Sequence, residues 1–373
     1  MHGVRVQVVD PSAYTPPYDR ALCAALARAG ADVELVTSRF AYGDVPAAEG
    51  YRVSELFYRR AGRMGPSEVG RFPAKLAAHL PDMLRYRRHA RAADVVHWQW
   101  LTVQPVDAFL LPSGVPRVLT AHDILPREPR PGQLGAARRL LRKMDAVVVH
   151  SEHGAGRLRE EVGLEDERIH VIPPGAFDYL TRLPGEKPLA PELAEVEGPV
   201  VLFFGLLRPY KGVEVLIEAF QNIEGAELWI VGMPRMPLEP LRELAESVRG
   251  RVRFVPRFVD DAEIPALFRR ADIVALPYRE IDQSGVLYTA LAFGKPIVLS
   301  AVGGFAEIAA QGAARAVRAN APVELAAAIQ ELLDDDGQRA ALARAAAQAA
   351  AGPYSWDSIA ERTLSLYRGL LDG

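Results

Sequence analysis

Seven apolar runs of strand length precede residue 173 and six follow residue 198, and segments with apolar residues at helical spacing lie between most of them. Strands that alternate with helices build βαβ units, which pair their strands in parallel. The expected strands of the first series are Val4 to Val9, Asp32 to Thr37, Val53 to Tyr58, Asp94 to Trp98, Arg117 to Ala121, Asp145 to His150 and Ile169 to Ile172. Those of the second are Pro199 to Phe204, Glu227 to Val231, Val252 to Val255, Asp272 to Leu276, Pro296 to Leu299 and Ala313 to Val317. Two similar series imply two similar domains, and 373 residues suit two domains better than one core. Pro173 to Pro199, with six prolines and little periodicity, is the natural boundary. The expected division is residues 1–180 and 181–353. After helices at Val323 to Leu333 and Arg339 to Ala351, Gly352-Pro353 breaks the chain before a last amphipathic segment, 354–373. Its apolar face needs a surface to cover, and the first domain is one candidate.

Composition narrows the function. A formal net charge of -3 provides no global basic field, so nucleic acid is not an expected partner. The single cysteine, Cys23, lies among Leu22, Ala24, Ala25 and Leu26, which suits a buried, inert thiol. Val4, Val6 and Val8 follow Met1 too closely for a signal peptide, and no apolar run reaches the roughly 20 residues that cross a bilayer. The expected location is the cytoplasm.

Three strand ends carry residues with chemistry. Val200 to Phe204 reads as a strand buried on both faces, Gly205 releases the backbone, and Arg208 and Lys211-Gly212 precede a helix marked by Val213, Leu216, Ile217 and Phe220. Ligands of open α/β sheets bind at the carboxyl ends of strands, where two cations and two glycines can surround a diphosphate. The alternative is a pair of solvated charges. Asp272 to Leu276 leads through a polar loop to Ser284-Gly285, where Ser284 is a good helix cap and the first amides face the end of the sheet. His122, next to Asp123, directly follows the strand ending at Ala121; Asp123 or a carbonyl is its bland partner. His97, His150 and His153 are weaker candidates, with Ser151 expected to cap the next helix. No metal-ligand spacing and no Gly-x-Ser-x-Gly elbow occurs.

The segment Arg59 to Arg91 holds eight arginines and Lys75 against Glu68 and Asp82, a net charge of +7, interleaved with Val69, Phe72, Leu76, Leu80, Met83, Leu84 and Tyr86. Such a segment suits contact with an anionic membrane surface; a solvated arginine face or a subunit contact is the alternative.

Phe204-Gly205 with Arg208 and Lys211-Gly212, then Pro277, Ala290 to Pro296, Gly303-Gly304 and Glu307 together resemble family 4 of the retaining nucleotide-sugar glycosyltransferases. Thr120-Ala121-His122, Val149 to Glu152, Ile172 to Gly175 and Tyr354 to Asp357 extend the likeness over nearly the full chain. The resemblance implies the GT-B fold: two Rossmann-like α/β domains facing across a cleft, the first binding acceptor and the second donor, with the C-terminal helix crossing back to the first. It implies a donor diphosphate held by Arg208, Lys211, Gly205 and the amides of Ser284, Gly285 and Val286, and a nucleoside near Arg257, Phe258, Val259 and Thr289. His122 would lie near the sugar, with Asp282 as a second catalytic candidate. No metal or other cofactor is expected, because the two cations and the helix dipole would neutralise the leaving nucleoside diphosphate.

Two positions depart from the family pattern. The paired glutamates that usually stand here are replaced by Ile281 and Thr289; Glu280 or Asp282 is near enough to replace the first, and the Thr289 hydroxyl offers one weaker bond for the second. Pro17-Tyr18-Asp19 stands where relatives often have paired glycines. The expected activity is sugar transfer to a hydroxyl of a glycan, lipid-linked or small-molecule acceptor. The alternatives are another enzyme of this fold, such as a nucleotide-sugar epimerase or a pseudo-glycosyltransferase, and a catalytically silent nucleotide- or glycan-binding protein.

Overall fold

The computed structural model describes residues 3–41, 45, 47–64, 70–126, 129–196 and 198–373. The chain forms two compact units, one of residues up to Gly175 with Trp356–Gly373, the other of Ala176–Ser355.

The first unit is a seven-stranded sheet of β1 (Arg5–Asp10), β2 (Asp32–Thr37), β3 (Arg52–Glu55), β4 (Val95–Trp98), β5 (Arg117–Thr120), β6 (Ala146–Val149) and β7 (Ile169–Val171), in the order β3-β2-β1-β4-β5-β6-β7. Every pairing is parallel. Its helices are α1 (Pro16–Arg28), α2 (Arg71–His89), α3 (Gln104–Leu110), α4 (Gln133–Arg142) and α5 (Glu152–Arg157). The second unit is a six-stranded parallel sheet, β10-β9-β8-β11-β12-β13, of β8 (Val200–Phe204), β9 (Glu227–Val231), β10 (Val252–Val255), β11 (Ile273–Leu276), β12 (Ile297–Ser300) and β13 (Arg315–Val317). Its helices are α6 (Val213–Ala219), α7 (Glu239–Glu246), α8 (Ile264–Arg270), α9 (Gly285–Ala292), α10 (Phe305–Ala310), α11 (Pro322–Asp334) and α12 (Asp336–Ala351). A last helix, α13 (Trp356–Asp372), belongs to the first unit.

All thirteen expected strands form, most within a residue or two of the expected ends. The strand expected at Val53 to Tyr58 stops at Glu55, because Tyr58 takes a φ of +50° and gives its amide to the buried Asp82 carboxylate at 2.8 Å. The unit boundary lies five residues earlier than expected. Ala176 donates its amide to the Tyr354 carbonyl at 2.7 Å, and Leu180 and Tyr354 are buried in the second core, so 176–180 and 354–355 pack with the second unit.

The last helix closes the first unit as its apolar spacing requires. Trp356, Ile359, Leu364, Leu366 and Tyr367 are buried, Arg28 at the end of α1 pairs with Asp357 at 2.6 Å, and the Tyr367 hydroxyl meets His97 Nδ1 at 2.6 Å. In the second unit Val200, Val201, Leu202 and Phe203 are fully buried, as a strand covered by helices on both faces should be. Among the described residues no helix is long and apolar enough to cross a membrane.

Each sheet reverses its strand order once. The reversal lies between β1 and β4 in the first unit and between β8 and β11 in the second. In open α/β sheets the crevice outside such a point is where ligands bind. Arg208, Lys211 and Ser284 to Val286 follow β8 and β11 and so flank the second reversal, whereas His122 follows β5, one strand beyond the first reversal, and Arg257 to Val259 follow the edge strand β10.

Candidate functional site

In the second unit the loop after β8 turns at Gly205, passes through one turn at Pro209–Lys211 and enters α6 at Gly212. Gly212 has a φ of +61°, and a Cβ there would stand 2.1 Å from the Pro277 carbonyl oxygen, so only glycine lets this loop lie against the end of β11. Arg279 donates its amide to the Tyr210 carbonyl at 2.8 Å and joins the two loops. Lys211 is 7% exposed, with Nζ 4.9 Å from the centroid of the Tyr278 ring. A Cβ on Gly205 would be 3.0 Å from that Nζ and 3.3 Å from Val286 Cγ2. The ammonium and the first turn of α9 therefore converge over Gly205. Among the described residues no carboxylate or hydrogen-bond acceptor pairs with Lys211, and a buried cation without a counter-charge calls for an anion. Arg208 is exposed in the same loop, likewise without an ion pair to a described residue.

Ser284 occupies the cap position of α9, but its hydroxyl makes no cap bond; it lies 3.4 Å from the Tyr278 hydroxyl, while its amide donates to Gln283 Oε1 at 3.1 Å. The amides of Gly285 and Val286 open the helix without intrahelical acceptors. Thr289 departs from its expected part: its hydroxyl donates to the Gly285 carbonyl one turn back, at 3.0 Å, and the side chain is buried. A short side chain inside a helix finds that carbonyl first, which takes its proton away from a ligand. Ile281 and Asp282 are buried in the loop before α9, and Glu280 is exposed.

Arg257 is engaged within its own loop. Its guanidinium forms a fork with Glu263 at 2.6 and 3.0 Å and donates to the Phe258 carbonyl at 3.0 Å, and the paired carboxylate raises its pKa. Val259 is half-buried, while the Phe258 ring is 62% exposed. These residues lie beyond β10, with β9 and β8 intervening before β11.

In the first unit His122 meets Gln99 and His150 rather than the bland partner Asp123. His122 Nε2 is 3.1 Å from Gln99 Oε1, and His122 Nδ1 is 3.1 Å from His150 Nε2. The pairing of β5 with β6 sets Thr120 against Val148, so residues 122 and 150 leave the sheet side by side. Burial pushes the His150 pKa down to about 4 and, with the neighbouring imidazoles, pushes that of His122 well below its ordinary value. Both rings are neutral near pH 7. The direction of their hydrogen bonds then follows from one carbonyl. His150 Nδ1 lies 3.0 Å from the Ile172 oxygen, so Nδ1 carries the proton and Nε2 a lone pair. His122 must donate from Nδ1 to that lone pair, which leaves its own Nε2 as an acceptor. The Gln99 amide is consistent when its nitrogen, otherwise buried without a partner, is the atom facing His122.

The surroundings of His122 are as closely packed. Tyr18 presents its ring at 4.9 Å and 88° to His122 and at 5.2 Å to Trp356. His97, its pKa lowered to about 3 by burial, bridges the Tyr367 hydroxyl and the Thr120 hydroxyl, the latter at 2.7 Å. Burial and the adjacent Asp10 charge hold the Asp19 carboxyl protonated well above the usual carboxylate range. Ser151 caps α5 as expected, accepting from the Gly154 amide at 3.1 Å. His150 is the weaker candidate in the sequence; its offset of two residues past Val148, equal to that of His122 past the paired Thr120, is the signal that joins them.

Comparison with known proteins matches this geometry to a family. Residues 18–176 match Glycosyltransferase Family 4, and residues 198–335 match Glycosyl transferases group 1. The chain is 30% identical over 373 residues to the D-inositol 3-phosphate glycosyltransferase of Xylanimonas cellulosilytica, covering 93% of this chain and 89% of that one. The enzyme of the same name from Segniliparus rotundus is 30% identical over 381 residues, with 95% and 84% covered. Among solved structures, sucrose-phosphate synthase from Thermosynechococcus elongatus superposes with a TM-score of 0.73 at 20% identity, covering 99% of each chain. Anabaena HepE in complex with UDP-glucose does so with a TM-score of 0.70 at 20% identity, covering 98% of this chain and 99% of that one. With a glycine-shaped loop at the carboxyl end of its second parallel sheet and relatives along almost its whole length, the chain belongs to family 4 of the glycosyltransferases, transferases of the GT-B fold.

Proposed function

We propose that the protein transfers a sugar from a nucleoside diphosphate to a hydroxyl of a glycan, lipid-linked or small-molecule acceptor, with retention at the anomeric carbon and without a metal ion. The observation that carries this reading is the buried Lys211 ammonium, without a carboxylate partner among the described residues, held over Gly205 beside the first turn of α9. A diphosphate there would receive charge from Lys211 and Arg208 and hydrogen bonds from the Gly285 and Val286 amides. Those groups would stabilise the charge that grows as the glycosidic bond breaks, and the acceptor hydroxyl would attack from the face the diphosphate leaves. The second unit takes the donor role in this scheme and the first unit the acceptor role. In the second unit Asp282, two residues before Ser284, would orient sugar hydroxyls; in the first, neutral His122 would do so by exchanging the Gln99 amide at Nε2 for a hydroxyl. The exposed Phe258 ring would stack against the base. UDP or UDP-glucose in the Anabaena structures favours a uridine donor.

A thermal-shift panel of nucleoside diphosphates and their sugars tests the donor. A ligand at 100 times its dissociation constant stabilises by about 2.7 kcal/mol, which for a unit of this size is roughly 5–10 °C. A panel without any shift would remove the donor assignment.

The protein is further proposed to work on the cytoplasmic side of an anionic membrane. Phe72, Leu76, Leu80 and Leu84, four residues apart along α2, are all exposed, with Arg85 and Arg88 exposed on the same helix. Glu68 and Val69 lie outside the described residues, and Asp82 is buried against Tyr58 and Arg85. An apolar stripe flanked by cations suits anionic headgroups, each cation contributing about 1 kcal/mol near such a surface. Arg85, Arg87, Arg88 and Arg91 replaced together by Ser should release the protein from phosphatidylglycerol vesicles in a flotation assay. A parent chain that does not float with them ends the idea.

A further inference from the structure

Outside β1 the chain makes a turn that the first unit fixes from beneath. Ala13 has a φ of +49°, a left-handed value that costs a residue with a Cβ about 1 kcal/mol or more. The buried Asp10 carboxylate accepts the amides of Ser12 at 3.1 Å, of Thr15 at 3.2 Å and of Tyr14 between them. The effect of this arrangement is to hold Tyr14 out, 64% exposed, with its ring centroid 4.5 Å from that of Trp100. Trp100 donates its indole Nε1–H to Thr15 Oγ1 at 2.9 Å, so its polar edge is satisfied by the same turn. Its other neighbour is His122, stacked at 5.0 Å with 15° between the planes. Three rings thus run from solvent to the histidine at the end of β5. The core does not need Tyr14, yet a strained backbone and a buried charge are arranged to present it.

We propose that Tyr14 and Trp100 form the stacking platform of the acceptor, and that the acceptor offers the flat apolar face of a ring, either the C–H face of a sugar or an aryl group. The name acceptor rests on the transferase reading above; the stacking does not. The negative face of an aromatic ring attracts polarised C–H groups and offset rings, and a rigid ring gives up little conformational freedom when it lies flat. An open-chain polyol has no such face and must lose several torsions to imitate one.

Saturation-transfer NMR on the full chain tests the platform with three probes: methyl β-D-glucopyranoside, 4-nitrophenyl β-D-glucopyranoside and D-mannitol. The ring C–H protons of both glucosides should be saturated and mannitol should not. Stronger saturation of the nitrophenyl protons than of the sugar protons identifies the aryl group as the stacked ring, and the converse identifies the sugar. Tyr14→Ala should weaken glucoside binding about tenfold and Tyr14→Phe should preserve it. Tyr14 is exposed, so both variants keep the fold, and a UDP thermal shift equal to that of the parent checks the donor half separately. The proposal is overturned by equal saturation of mannitol, by glucoside signals that Tyr14→Ala and Trp100→Ala leave unchanged, or by no glucoside signal with the parent. Failure of UDP to bind the parent counts instead against the transferase reading.

Discussion

Lys211→Ala is expected to lower kcat/KM for the nucleotide-sugar donor by roughly two to three orders of magnitude, the range found when one preorganised donor to developing charge is removed. The ammonium is buried between Gly205, Tyr278 and the start of α9, so it acts at low dielectric and water cannot replace it. Arg208→Ala should cost less, about tenfold, because an exposed guanidinium is screened and solvent takes part of its role. The fold should tolerate both changes, since among the described residues the Lys211 head group has no ion pair, and its contact with the Tyr278 ring is worth about 1 kcal/mol. Steady-state kinetics in donor, with a thermal melt as control, decide the matter. Unchanged donor constants in both variants would sink the diphosphate assignment.

The second large effect lies in the histidine pair. His150→Ala leaves the His122 Nδ1–H without its acceptor and frees the ring to take the other tautomer, so kcat should drop by about tenfold to a hundredfold with donor KM unchanged. His150→Gln, whose side-chain oxygen can accept the same hydrogen, should recover part of the loss. The His150 imidazole also helps to depress the His122 pKa, so the acid limb of the pH profile should move upward in His150→Ala. A purely structural role for His150 would lower activity without moving that limb.

The same groups set an acid sensitivity of folding. For His97, His122 and His150 the folded pKa lies below the unfolded value of about 6.5, so the folded chain binds fewer protons than the unfolded one between the two. Their contribution is complete above pH 6.5 and is lost as pH falls toward 4, on the order of 1–2 kcal/mol per histidine by pH 5. Asp10 and Asp19, whose pKa values burial raises, work in the opposite sense and lose stability as pH rises, but they are two groups against three. Urea unfolding at pH 7 and pH 5 should show the midpoint falling; equal midpoints would mean that the buried rings are protonated in the folded chain.

Legibility in the sequence followed the physics of each feature. Strands buried on two faces, such as Val200 to Phe204, announce themselves through uninterrupted apolar runs, and the break at Gly352-Pro353 marked the last helix to within two residues. Gly205, Arg208, Lys211 and Gly212 were legible because a single short loop carries them all. What depended on side-chain hydrogen bonds was not. Ser284 has the right residue type for a cap, yet its hydroxyl turns toward Tyr278; Thr289 looked able to reach a ribose and instead bonds within its helix. His150 and the Tyr14–Trp100–His122 ladder required the register of neighbouring strands and a left-handed Ala13, neither of which is a property of local pattern.

The return of the last helix to the first unit has a temporal side. A ribosome delivers residues 356–373 only after the whole second unit, so the nascent first unit emerges with α1 uncovered and His97 lacking Tyr367. A Cβ on Gly175 would stand 2.4 Å from the Trp356 ring, so this glycine receives the indole in a fit made late. The second unit, contiguous in the chain, can finish folding first. The half that carries His122 is therefore completed only after the second unit has been synthesised, and a chain cut short after residue 355 would have a whole Lys211 loop but an unclosed histidine cluster.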